Sequence, residues 1–149
     1  MPSLIGSWSE FDGALIAVRI GVSRQELLRL RSARQAIPQP AEFTALIDCG
    51  AQMTCADSTA VRGLGLALYG VTPINVPALG GLSAAVQYAA SLILVHPSGN
   101  PLDDLVIPDL PLTEIDIGAI GYQILIGRDV LTLCNFHLDG PGLTFSLEY

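Results

Sequence analysis

Ala45-Leu46-Ile47-Asp48-Cys49-Gly50-Ala51 decides the fold. An apolar run ends abruptly in a carboxylate, so Asp48 falls where a buried strand emerges. The next residue is small and able to hydrogen-bond. Gly50 accepts backbone angles closed to other residues and lets a ligand or a second chain come close. A second signal, Ile124-Leu125-Ile126-Gly127-Arg128-Asp129, lies well downstream. There another buried strand meets a glycine and then two charged residues that begin a short helix.

The rest of the chain reads as frequent short strands separated by Gly and Pro. Leu15 to Ile20 is strand-like. Ser23-Arg24-Gln25-Glu26 has the form of a helix capping box and predicts a helix to about Gln35, stopped by Pro38 and Pro40. Phe43 to Ile47 leads into the Asp48 loop, and Asp57 to Gly63 predicts one or two helical turns. Thr72 to Leu79 reads as irregular or extended, Gly80-Gly81 as a turn and Val86 to Val95 as a strand. Leu105 to Ile107 predicts a short strand before Pro108. Gln123 to Ile126 is a buried strand, and Arg128 to Leu133 one or two helical turns. Phe136 to Leu138 and Leu143 to Leu147, joined by Asp139-Gly140-Pro141-Gly142, form a terminal hairpin. Asp12-Gly13 and Asp139-Gly140 read as plain turns. The pattern predicts a mostly-β barrel in one domain spanning 1–149.

Composition narrows the function. A chain of 149 residues needs no disulfide staples. Half of it is hydrophobic and only 14% is charged, which favours a subunit interface. The net charge is -7 and every basic residue is Arg, a balance unsuited to nucleic acid. Three cysteines, Cys49, Cys55 and Cys134, have no metal-ligand spacing and suggest a reducing compartment, so the expected location is cytoplasmic. His96 and His137 are too far apart to read as a ligand pair. No metal or organic cofactor is expected. Met1 to Glu10 is too short and polar for a signal peptide. No apolar stretch reaches the ~18–20 residues of a membrane span, so no membrane partner is expected.

The two motifs together resemble those of the retropepsin-like aspartic proteases, with their Asp-Thr/Ser-Gly-Ala loop and later apolar-apolar-Gly segment leading into a helix. Gly50-Ala51-Gln52-Met53-Thr54 is also similar to the loop of the cellular retropepsin domains in DNA-damage-inducible ubiquitin-shuttle proteins. The resemblance covers about residues 14–149 and is weakest at 22–40 and 97–115; the helix within 23–36 is an insertion relative to the compact retroviral enzymes. It implies a closed acid-protease barrel with short helices, used as a homodimer. Asp48 of each subunit would be catalytic, and an extended peptide or protein substrate would lie across the dimer cleft.

The same resemblance implies further roles. Cys49, Gly50 and Ala51 would support the active-site loop. Ile126, Gly127, Arg128 and Asp129 would back that loop and start the helix. Leu79-Gly80-Gly81-Leu82 would be the tip of a flap over the substrate, with Gly80, Gly81 and Leu82 contacting it. The terminal strand Leu143 to Leu147 would interleave with its copy in an interface sheet. Cys49 departs from the family's Thr or Ser, whose hydroxyl interlocks the subunits beneath the aspartates. A catalytically weak or inactive peptide-binding homodimer is therefore the alternative, with a thiol-dependent hydrolase as a third reading. Gln52 replaces the acid that pairs with the family's Arg, leaving the partner of Arg128 open. Arg24, Arg29, Arg31 and Arg34 read as a solvated helix face.

Overall fold

A computed structural model describes residues 1–77 and 80–149. The described residues form ten strands: β1 (Ser3–Ser9), β2 (Gly13–Val22), β3 (Ala41–Ile47), β4 (Cys55–Asp57), β5 (Ala67–Val76), β6 (Gly81–Leu94), β7 (Leu105–Ile115), β8 (Ile124–Ile126), β9 (Asn135–Asp139) and β10 (Thr144–Glu148). Three short helices accompany them: α1 (Arg24–Ser32), α2 (Ser58–Val61) and α3 (Arg128–Leu131). The strands run β5-β6-β7-β4-β8-β3-β2-β1-β10-β9, and an additional β6–β2 pairing closes six of them, β2, β3, β8, β4, β7 and β6, into a barrel.

Alternation fills that barrel. Ala14, Ile16, Val18 and Ile20 of β2 point inward, as do Ala90, Leu92 and Leu94 of β6 and Ala45 and Ile47 of β3. Ile124 and Ile126 complete the interior, fully enclosed.

Strand order also creates the Asp48 loop. β8 lies between β3 and β4, parallel to β3 (Ala45 opposite Ile124, Ile47 opposite Ile126) and antiparallel to β4 (Ala56 opposite Ile124). The chain must therefore arch over the end of β8 to pass from Ile47 to Cys55. Residues 48–54 are that arch.

Several elements differ from the sequence reading. Helix α1 stops at Ser32, before the prolines, because the chain turns left-handed at Arg34 (φ 52°) and the Gln35 N–H returns to the Leu30 carbonyl. The Ser23 hydroxyl does accept the Glu26 N–H, but the Glu26 carboxylate turns to Arg29 instead of completing the box. β7 runs through Pro108 and Pro111 to Ile115. Its register against β6 shifts between Ala90 and Leu92, and β4 joins it only at Thr113–Ile115, so the prolines sit where the ladder asks for fewer N–H donors. Thr72–Val76, read as irregular or extended, is extended: it belongs to a long strand paired with β6 down to Val76 opposite Gly81.

β1 was not expected from Met1 to Glu10. It pairs with β10 from Ser3–Glu148 to Ser7–Thr144, and β9 covers the other side of β10. Leu143 to Leu147, expected to interleave with a second chain, is paired within its own chain. Both edges of β10 are occupied within its own chain, with Phe145 and Leu147 in the core, and among the described strands β9 carries the free edge of that sheet.

Candidate functional site

Asp48 heads the arch and is half-buried. Its N–H donates to the Ile126 carbonyl at 3.0 Å, tying the residue to the end of β8. One carboxylate oxygen, Oδ1, accepts the N–H groups of Gly50 (2.9 Å) and Ala51 (3.2 Å). Both donors come from the turn that follows, so the loop fixes the carboxylate itself. A Cβ on Gly50 would lie 3.1 Å from that oxygen, a contact crowded enough to press on the carboxylate. Cys49 between them is exposed.

Behind the loop, Gly127 is fixed by contact. A Cβ there would fall 2.4 Å from the Met53 carbonyl carbon and 2.8 Å from the Thr54 nitrogen, so the two backbones meet only because residue 127 lacks a side chain. Thr54, fully buried, joins Asp129 and Gly127. Its hydroxyl donates to Asp129 Oδ1 at 2.7 Å and accepts the Gly127 N–H at 3.1 Å, while its own N–H donates to Asp129 Oδ2 at 2.9 Å. The Arg128 N–H reaches the Ala51 carbonyl at 3.0 Å. Thus Ile126, Gly127, Arg128 and Asp129 do lie against the Asp48 loop. The Arg128 guanidinium is exposed and, among the described residues, pairs with no carboxylate; Gln52 at the neighbouring position offers no charge.

A cleft of about 390 Å³ opens beside the loop. Gly50, Ala51, Gln52, Met53 and Cys55 form one wall, Pro73, Ile74, Asn75 and Val76 of β5 another, and Ile115, Leu125 and Arg128 close the ends. Asp48 is not in the lining itself; the residues immediately after it are. Gly80 and Gly81 sit at the hairpin tip with φ of 91° and 116°, angles that explain two successive glycines. Leu82 there is 81% exposed. The tip residues named from the sequence do not line the cleft, whereas Pro73–Val76 on the facing strand do. Leu79 lies outside the described residues.

The three thiols are free. Burial, and then the charges of Asp129 and Asp48, push the Cys55 thiol up to about 11, so it stays protonated and a poor nucleophile. Neither histidine is placed to activate Cys49: His96 Nε2 lies 3.1 Å from the Ser3 carbonyl and His137 sits on β9. No cluster of metal-ligating side chains occurs among the described residues.

Sequence reasoning passed over Asp57. It is buried, caps α2, and its carboxylate accepts the N–H groups of Thr59 (3.0 Å), Ile117 (2.8 Å) and Gly118 (3.2 Å) as well as the Thr59 hydroxyl. These bonds, led by the Thr59 hydroxyl, hold it down to about 2. The signal was present: Asp57-Ser58-Thr59 opens a helical turn, and Asp is a preferred cap.

No family model matches the chain, and no curated protein sequence does. Solved structures do. A retropepsin-like aspartic protease from Rickettsia conorii aligns over 99% of this chain and 90% of its own, with a TM-score of 0.58 and 13% identity. The retroviral protease-like domain of Ddi1 from Leishmania major aligns over 91% and 93%, with a TM-score of 0.43 and 12% identity. The Rickettsia likeness establishes a retropepsin-like fold for this chain. Among the described residues, no helix is long and apolar enough to cross a membrane.

Proposed function

We propose that this protein is an aspartic endopeptidase working as a homodimer, with one Asp48 from each subunit. The observation that carries the reading is the Asp48 arch itself: a carboxylate held by the Gly50 and Ala51 N–H groups, at the end of a strand, in a retropepsin-like barrel. One chain offers one such carboxylate, and the chemistry needs two. Two carboxylates facing each other share one proton, because like charges that close do not both ionise. The ionised partner takes a proton from a water, which attacks the peptide carbonyl, and the protonated partner donates to the carbonyl oxygen. The tetrahedral intermediate then collapses with proton transfer to the leaving nitrogen.

The free edge of β9 supports the dimer. Its unpaired backbone groups invite antiparallel addition of the same strand from a second chain, continuing the β1-β10-β9 sheet across a twofold axis. Exposed Leu133, Leu138 and Leu143 lie in and beside this sheet.

The cysteine at position 49 favours one other reading, a dimer that binds extended peptides without cutting them, since a thiol is a weaker hydrogen-bonding group than the family's hydroxyl. One experiment separates the two. Wild type and Asp48→Asn are incubated with an unstructured protein from acidic to neutral pH, with and without a statine-type transition-state mimic. The peptidase reading expects cleavage favoured at acidic pH, blocked by the mimic and lost by about a thousandfold or more in the Asn variant. Undiminished cleavage by Asp48→Asn contradicts it, and binding without turnover by the wild type supports the noncatalytic dimer.

A further inference from the structure

The strongest unassigned feature of the cleft is the Arg128 guanidinium. It lines the cleft with apolar Met53, Ile74, Val76 and Leu125 and with the uncharged polar Gln52 and Asn75, and no other charged side chain among the described residues belongs to that lining. It is exposed and makes no ion pair among the described residues; the pairs found there are Arg19–Glu42 and Arg29–Glu26. Yet its backbone is fixed. The Arg128 N–H bonds to the Ala51 carbonyl, and the Ala51 N–H bonds to the Asp48 carboxylate. Gly127 before it is locked against Met53, and Asp129 after it is locked to Thr54. A rigid backbone therefore carries the one charged side chain, among the described residues, of a largely apolar cleft lining, in a chain whose net charge is -7.

Resting on the peptidase reading, we infer that Arg128 sets specificity, selecting substrates with an acidic side chain near the scissile bond next to apolar residues. Guanidinium and carboxylate match in a two-pronged geometry, and Met53, Ile74, Val76 and Leu125 offer apolar surface to the neighbouring substrate residues. Two backbone hydrogen bonds separate Arg128 from Asp48. That connection places the side chain it meets near the cleaved bond. A twofold dimer carries two such arginines, so the preference applies on both sides of the bond.

The test uses the full-length wild type, Arg128→Gln and Arg128→Glu with matched peptides carrying Glu, Gln or Lys at each position within three residues of an apolar-apolar bond. Cleavage is read as kcat/KM. Binding of the same peptides is read by anisotropy with Asp48→Asn, alone and combined with each Arg128 substitution. The inference expects the wild type to prefer the Glu peptide over the Gln peptide by about three- to tenfold at one or more positions. The preference should shrink with added salt, vanish in Arg128→Gln and turn toward Lys in Arg128→Glu. Equal handling of Glu and Gln peptides, or a preference that survives Arg128→Gln, overturns the inference while leaving the peptidase reading intact. Selective binding without cleavage keeps the role of Arg128 and overturns the peptidase. Binding of none of the peptides overturns both.

Discussion

The Asp48 arch and the β5–β6 arm meet at one cleft and are built by opposite rules. In the arch, backbone and buried polar groups hold one another: Gly127 against Met53, Thr54 between Asp129 and the Gly127 N–H, the Asp48 carboxylate on its own loop. The arm is a ribbon. Toward its tip, Gly81–Val86 pair only with β5, and Leu68, Tyr69, Val71 and Leu82 stand in solvent. A two-stranded ribbon is marginal on its own in water, so the arm draws its stability from its base on β7 and β2. Under the proposed function, the catalytic group sits where the molecule is over-determined, and the arm, with fewer partners, is the part of lower local stability.

Substitutions break or sharpen this contrast. The largest effect is expected from Gly127→Ala, which drives a methyl into the Met53 backbone; a loss of about 3 kcal/mol or more, or failure to fold, is expected by thermal melting. Gly80→Ala meets open space and only a positive φ, so it should cost about 1 kcal/mol at most in global unfolding. If the two cost the same, the contrast fails. Next is Thr54→Val, near-isosteric, which leaves the Gly127 N–H unpaired and strips the Asp129 carboxylate of a hydroxyl donor. About 2–4 kcal/mol should be lost in denaturant unfolding.

Asp57 supplies a pH test of the scaffold. Its carboxylate is held at about 2 when folded, against an ordinary 3.8 when unfolded. The unfolded chain therefore binds the proton first as pH falls. The contribution is full above about 4 and is lost on acidification from about 4 to about 2, on the order of 1–2 kcal/mol. Asp57→Asn should flatten that part of the stability curve; an unchanged slope would remove Asp57 from the account. The smallest effect on stability is expected from Leu82→Ser at the exposed tip, within about 0.5 kcal/mol of wild type. A large drop would mean that the tip packs against something in the native assembly.

The sequence revealed most where local chemistry dictates backbone. Apolar runs ending at Asp48 and at Gly127 located the arch and the strand beneath it, and Asp139-Gly140 located the last hairpin. Ser23 marked the start of α1, although Arg34 and not Pro38 ended it. Less legible were elements that depend on distant partners. β1 is polar and Gly-containing, and exists because β10 pairs with it. The prolines of β7 hid a long strand, because nothing local reveals that one side of it lacks a neighbour. The hairpin glycines pointed to the arm, but which strand faces the cleft follows from barrel closure. Nothing in the spacing tied Thr54 to Asp129, 75 positions away.

The central claim is that two Asp48 loops meet across a twofold axis, and Cys49 permits its most direct measurement. Cys49 is exposed beside Asp48, whereas Cys55 stays protonated up to about 11. Wild type and Cys49→Ser are treated with a short bismaleimide at neutral pH and separated under denaturing conditions. The account predicts a covalent species of twice the 15.7 kDa chain in the wild type and none in Cys49→Ser. A wild type that stays entirely monomeric, or a dimer that forms equally well without Cys49, would contradict it.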